Sequence, residues 1–183
     1  MKNFKLLMII IACANIFTAC KKDKTETTEL SKLPAATQTG ANTFGCLVNG
    51  KAWVAQRNDC SIFCPLSLKV MYDGNNGGNL SITGFNININ EGIDQGIIIG
   101  LDSTDFKSNF IFNASTANNI GFTYINNSIY TRSWDSLIVC TGSVKLTSYN
   151  FQTGIISGTF DFSLTKPNSP TIIVTNGRFD KKL

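Results

Sequence analysis

At 183 residues, with 16 basic and 12 acidic side chains, a net charge of +4 and no histidine, the chain is the size of one ordinary domain plus flanking segments. The missing histidine excludes Ser–His and Cys–His nucleophilic dyads, zinc proteases of the H-E-x-x-H type and the usual side-chain switch near neutral pH. No basic block or basic amphipathic helix interrupts the sequence, so the electrostatic footprint of a nucleic-acid binder is absent.

The first twenty residues carry the strongest signal. Lys2 and Lys5 precede an apolar run over residues 6–19 that closes on Phe17, Thr18, Ala19 and Cys20. Its 14 positions fall short of the about 20 apolar residues that span a bilayer and suit the core of a cleaved signal peptide. The sequence FTAC resembles the lipobox of bacterial lipoproteins, with Phe17 in place of the usual leucine. That resemblance implies cleavage after residue 19 and lipidation of Cys20 by a thioether-linked lipid and an N-acyl chain such as palmitate. Each buried acyl CH₂ contributes about 0.8 kcal/mol, so several chains together anchor stably. Loss of residues 1–19 removes Lys2 and Lys5, leaving 14 basic against 12 acidic side chains and a net charge of +2. Lys21 stands where an aspartate would favour inner-membrane retention in many Gram-negative lipoproteins. The resemblance therefore implies the outer membrane, with the protein facing the periplasm or exposed on the cell surface.

Residues 20–40 comprise the lipidated cysteine and a charged, Thr-rich stretch with one proline and no aromatic side chain. This composition predicts a flexible, solvated tether with a root-mean-square span of roughly 25 Å. Residues 41–183 then form a single domain, large enough to bury a core of its own.

Within that domain apolar residues alternate instead of recurring at helical spacing. Asn49 and Gly50, both tolerant of positive φ, lie between apolar stretches at 44–48 and 51–54 and predict a two-residue type I′ hairpin that sets Cys46 opposite Trp53. Further strands are expected at 66–72, 80–90, 96–101, 109–113, 121–125 and 171–179. In the second of these, Leu80 and Ile82 are out of phase with Phe85, Ile87 and Ile89, which predicts a β-bulge near Gly84. Cys140, Gly142, Val144 and Leu146 alternate with polar residues, as do Ile156, Gly158, Phe160, Phe162 and Leu164, so the two runs form an antiparallel hairpin around a turn at 148–153. The expected fold is all-β, an antiparallel β-sandwich or flattened β-barrel of about nine or ten short strands.

The segments TFGCLVNGKAW (43–53), GIISGTFDF (154–162) and VTNGRFD (174–180) are similar to the opening and closing motifs of an uncharacterised family of small Gram-negative lipoproteins with a lipobox, a short tether and one all-β domain. The similarity covers both ends of the domain. It implies architecture and location only, and the cysteines at 60, 64 and 140 lie outside the pattern.

Of six cysteines, Cys13 leaves with the signal and Cys20 is lipidated, so Cys46, Cys60, Cys64 and Cys140 remain for an exported, oxidising environment. Among the three pairings, Cys46 with Cys140 and Cys60 with Cys64 is preferred, because Cys140 and Cys46 both fall on apolar faces. No metal site and no cofactor is expected. The loop opening at Asp73 has calcium-like spacing, but its twelfth position is Gly84 and not the glutamate that such a loop requires. Ser163 and Lys166 fit S-x-x-K in letters, yet on a strand they do not meet. Asp102-Ser103-Thr104 and Asp135-Ser136-Leu137 resemble a sequon for O-glycosylation of exported proteins, making Ser103 and Ser136 candidate modification sites. The candidate ligand-facing side chains are Tyr124, Tyr130, Arg132 and Trp134, which follow Phe122 and flank Asn126, Asn127 and Ser128, a mixture of rings and amides suited to stacking on sugars or partner side chains. The expected role is a lipid-anchored binding module for a glycan or protein partner, without enzymatic activity. The alternatives are a carrier of a small apolar ligand inside a barrel and a hydrolase using two of Asp94, Asp102, Asp105 and Asp135.

Overall fold

The computed structural model describes residues 29–59, 65–73, 78–102, 106–114, 120–150 and 152–183. Twelve strands run through them: β1 (Thr43–Val48), β2 (Lys51–Val54), β3 (Gln56–Arg57), β4 (Leu68–Asp73), β5 (Asn79–Asn88), β6 (Ile93–Asp102), β7 (Ile111–Asn113), β8 (Ile120–Asn126), β9 (Ile129–Arg132), β10 (Val139–Asn150), β11 (Ile155–Thr165) and β12 (Ile172–Lys182). They form two sheets. The first has the order β2-β1-β12-β11-β10-β7; the second runs β3-β5-β6-β8-β9, with β4 also paired to β5. Every pairing is antiparallel except β3 with β5. The sheets do not close on each other, so the fold is a sandwich and not a flattened barrel.

Both predicted hairpins form, the first in its predicted register; in the second, β10 runs on to Asn150 past a register shift between Leu146 and Ser148. Cys46 pairs with Trp53, and both Asn49 and Gly50 take positive φ, 48° and 78°, as a primed turn requires. Strands β10 and β11 pair from Val139↔Thr165 to Asn150↔Ile155. Alternation on these strands sends Val144, Leu146, Phe160, Phe162 and Leu164 inward. Opposite them, Phe122 of β8 lies flat on Phe162, ring centroids 4.4 Å apart, and joins the two sheets at the middle of the core.

The bulge expected near Gly84 does not form. The ladders of β5 with β4 and β6 run without interruption, so Leu80, Ile82, Gly84 and Asn86 share the inward side while Phe85 and Ile87 face out. Gly84 is needed inward because Phe44 of the first sheet fills its place; a Cβ there would lie 2.7 Å from the Phe44 ring. Phe85 is covered outside by the Arg57 guanidinium, 5.6 Å above the ring. At this end the sandwich is closed by polar side chains: Trp53 Nε1 donates to Gln95 Oε1 at 3.0 Å, and Gln56 Nε2 to Asn86 Oδ1 at 3.2 Å.

Two further expectations are corrected. Cys46 and Cys140 are free thiols. In the first sheet β12 and β11 lie between β1 and β10, three steps of about 4.8 Å, whereas a disulfide needs Cα atoms within roughly 7 Å. Cys60 and Cys64, with their expected pairing, lie outside the described residues, as does Cys20. Burial pushes the Cys46 thiol far above its ordinary value and raises that of Cys140 as well. Cys46 should therefore resist alkylation in the native protein and react only on unfolding without reductant, as peptide mapping after iodoacetamide would record. Recovery of a Cys46–Cys140 linked peptide would contradict this arrangement.

Nor are residues 29–40 a free tether. A helical turn at 29–33 places the Glu29 carboxylate on the backbone N–H of Ala52 at 2.8 Å, buries Leu33, and brings Pro34 onto Gly45, where a Cβ would lie 2.7 Å from the proline ring. Residues 37–41 then wrap the Asp180 carboxylate. Oδ2 accepts from Thr37 Oγ1 (2.6 Å), Thr39 N (2.9 Å) and Ala41 N (3.1 Å), and Oδ1 from Gly40 N (2.9 Å) and Ser157 Oγ (2.7 Å). A threonine- and glycine-rich segment that reads as solvated thus becomes a strap across the outer face of the first sheet, because a distant carboxylate collects its donors.

Candidate functional site

Among the described residues, the outer face of the second sheet carries a concavity, a trough of about 560 Å³ that reaches Ala114 and Cys140 of the first sheet at one end. Its origin lies in the ladder register. Ser81 pairs with Gly100, and Gly100 with Gly121, so three side-chain-poor positions form one row across β5, β6 and β8. Beyond β8 the chain turns at Ser133, whose backbone N–H donates to Phe122 O and whose Oγ accepts from Phe122 N, both at 2.8 Å. This double clasp fixes the next residue, Trp134. Its ring meets Gly121 through one edge: a Cβ on Gly121 would lie 3.2 and 3.3 Å from Cζ3 and Cε3. The indole, 66% exposed, stands on the sheet as a wall.

The floor at Gly100 is bare. A Cβ there would find one atom within 4 Å, the Gly121 carbonyl oxygen at 3.9 Å. Ile98 borders the row on one side. On the other, Asn79 and Asp102 pair across the ladder, Asn79 Nδ2 donating to Asp102 Oδ1 at 2.7 Å, which leaves the second carboxylate oxygen without a partner among the described residues. From Ser81 to the turn beyond β9 is three strand steps, about 14 Å. Ala114, Ile120 and Cys140 line the end nearest the sandwich edge. A second concavity, about 410 Å³, lies on the first sheet near Ala36, Thr159, Asp161 and Arg178. Its one ring, Phe160, belongs to the core.

The four predicted ligand-facing side chains are divided by this geometry. Tyr124 is corrected: it faces inward with Phe122 and packs against the core, and burial, followed by the proximity of Cys46, raises its phenol. Tyr130, Arg132 and Trp134 occupy alternate positions and share the outer side. Arg132 lies 4.8 Å above the Tyr130 ring, so these two engage each other, while Trp134 alone reaches the trough. Sequence reasoning missed Gly100, Gly121, Ser81 and Asn79. The signal that would have found them is Gly100 and Gly121 falling on outward positions of two strands that pair.

Of the carboxylates considered for hydrolysis, Asp94 and Asp102 lie on one face of β6, eight residues or about 26 Å apart, and cannot act on one bond. Asp135 sits in the turn after Trp134, and Asp105 is outside the described residues. Ser136 is exposed in the same turn, open to modification; Ser103 is outside the described residues. Among the described residues no group of three or more Cys, Asp and Glu could hold a metal ion. No protein-family model, curated protein or solved structure matches the chain.

Proposed function

We propose that the protein is a lipid-anchored module of the outer membrane, held through Cys20, which binds its ligand in the trough beside Trp134. The carrying observation is that trough: an exposed indole, fixed by the Ser133 clasp, standing over a floor of bare backbone on an otherwise well-packed sheet. An exposed ring so placed adds nothing to the core. The strap supports the anchoring half of the reading. It enters along the outer face of the first sheet, so a domain held at that end turns the opposite face, with the trough, away from the lipid surface. From Cys20 to Glu29 a chain reaches at most about 30 Å, even fully extended. The carrier alternative is disfavoured by a core filled with Phe44, Phe122, Phe160, Phe162 and Phe179.

Two measurements test the proposal. A clickable palmitate analogue should label the wild-type protein in cells and not Cys20→Ser; an unlabelled wild type contradicts the anchor. Residues 21–183, made without the signal segment and the lipidated cysteine, should be retained on isolated envelope material from the source cells, and the Gly100→Leu form of the same residues should be lost. Equal retention of both contradicts the trough as the site.

A further inference from the structure

We infer that the ligand of the trough is a neutral saccharide, a reading that rests on the binding role proposed above. Three features of the site select that chemistry. First, the trough crosses the strands. Its floor lies on β6 and β8, whose backbone groups are already paired on both sides, so an extended peptide finds no N–H or C=O with which to add a strand. Second, the apolar surface is arranged as a wall and not as a tunnel. Trp134 offers a flat ring over a floor of glycine backbone, with Ile98 beside it and Ala114, Ile120 and Cys140 at one end only, so a pyranose ring, with its C–H face and its hydroxyl edges, finds a flat partner. Third, the polar groups stand at the rim. Asp102 has an oxygen ready to accept a hydroxyl proton, Ser81 can donate or accept, and Ser133 Oγ, which accepts from Phe122 N, still has its own proton to give.

The charge narrows the class. Among the described lining residues Asp102 carries the only formal charge, and Arg132, the nearest cation along the chain, lies over Tyr130 instead. A negative group at the rim, with no cation among the described lining residues to offset it, repels uronates, sulfated sugars and phosphates. The trough, about 14 Å from Ser81 to the turn beyond β9, suits a short oligosaccharide better than a single sugar unit.

The chain has two tryptophans, so its ¹⁵N correlation spectrum has two indole N–H signals, one from Trp134 in the trough and one from Trp53, 4% exposed and bonded to Gln95. The mature protein is titrated with neutral gluco-, galacto-, manno- and xylo-oligosaccharides, with a matched uronate series, and with an extended peptide and a fatty acid as other occupants. The expected result is a saturable shift of the Trp134 signal alone with at least one neutral series, weakened about tenfold or more in Trp134→Phe and in Gly100→Leu, and about tenfold or more weaker for uronates. Saturation by a uronate, peptide or fatty acid, blocked by Gly100→Leu and without any neutral sugar binding, overturns the saccharide assignment while the trough remains the binding site. Neutral-sugar binding that Gly100→Leu leaves intact overturns both, and no response to any neutral series overturns the inference.

Discussion

Asp180→Ala lowers the stability of the domain by on the order of 3 kcal/mol, roughly 10 °C in melting temperature. The carboxylate is 1% exposed and among the described residues has no ion-pair partner; hydroxyl and backbone donors from the strap and from Ser157 surround it. Burial alone would raise its pKa, but the hydrogen bonds from Thr37, Ser157, Ala41 and Thr39 outweigh it and hold the group well below the usual carboxylate range. Removing the acceptor leaves the part-buried N–H groups of residues 39–41 unpaired, which costs more than the lost bonds alone. Asp180→Asn fares little better, because its amide nitrogen must face one set of those donors. The pH dependence has a definite sign. A carboxylate whose native pKa lies below its unfolded value of about 3.9 contributes stability that is fully present above that value and is lost as pH falls through the native one. The gap in melting temperature between wild type and Asp180→Asn should therefore be constant from pH 7 to about 5 and narrow as the pH falls below about 4. Limited proteolysis of the variant should cut first within residues 29–41, since that segment loses its clamp; a first cut elsewhere would contradict the strap.

The second large effect is at the centre of the core. Phe122→Ala costs about 3–5 kcal/mol, measured by denaturant unfolding, because the fully buried ring stacks on Phe162 across the two sheets and its loss opens a cavity neither sheet can close. Trp134→Ala, twelve residues on, shifts stability by no more than about 0.5 kcal/mol, as expected for an exposed ring away from the core. The contrast separates two aromatic residues that the sequence presents as neighbours in one motif.

Much of the fold is local and could be read as such. Asn49 and Gly50 announce their turn through tolerance of positive φ, and the long alternations on β10 and β11 specify their faces without help from elsewhere. What escaped reading is non-local. The phase change in β5 needs no bulge because Phe44, forty residues earlier, occupies the space above Gly84. The strap looks like solvated chain until Asp180 is set beside it. Tyr124 and Trp134 belong to one aromatic stretch, yet strand parity turns the first inward while the Ser133 clasp holds the second out. Gly100 and Gly121 become a floor only when β6 and β8 pair.

Gly100→Leu probes binding in the trough without disturbing the fold, because the position faces open space and carries no unusual backbone angle, so the added side chain fills the trough without entering the core. Retention of residues 21–183, which lack the lipidated cysteine, on isolated envelope material, measured beside their melting temperature, should fall about tenfold or more in Gly100→Leu while the melting temperature stays within roughly 2 °C of wild type. Undiminished retention by a folded Gly100→Leu protein would contradict the trough as the place where this protein binds.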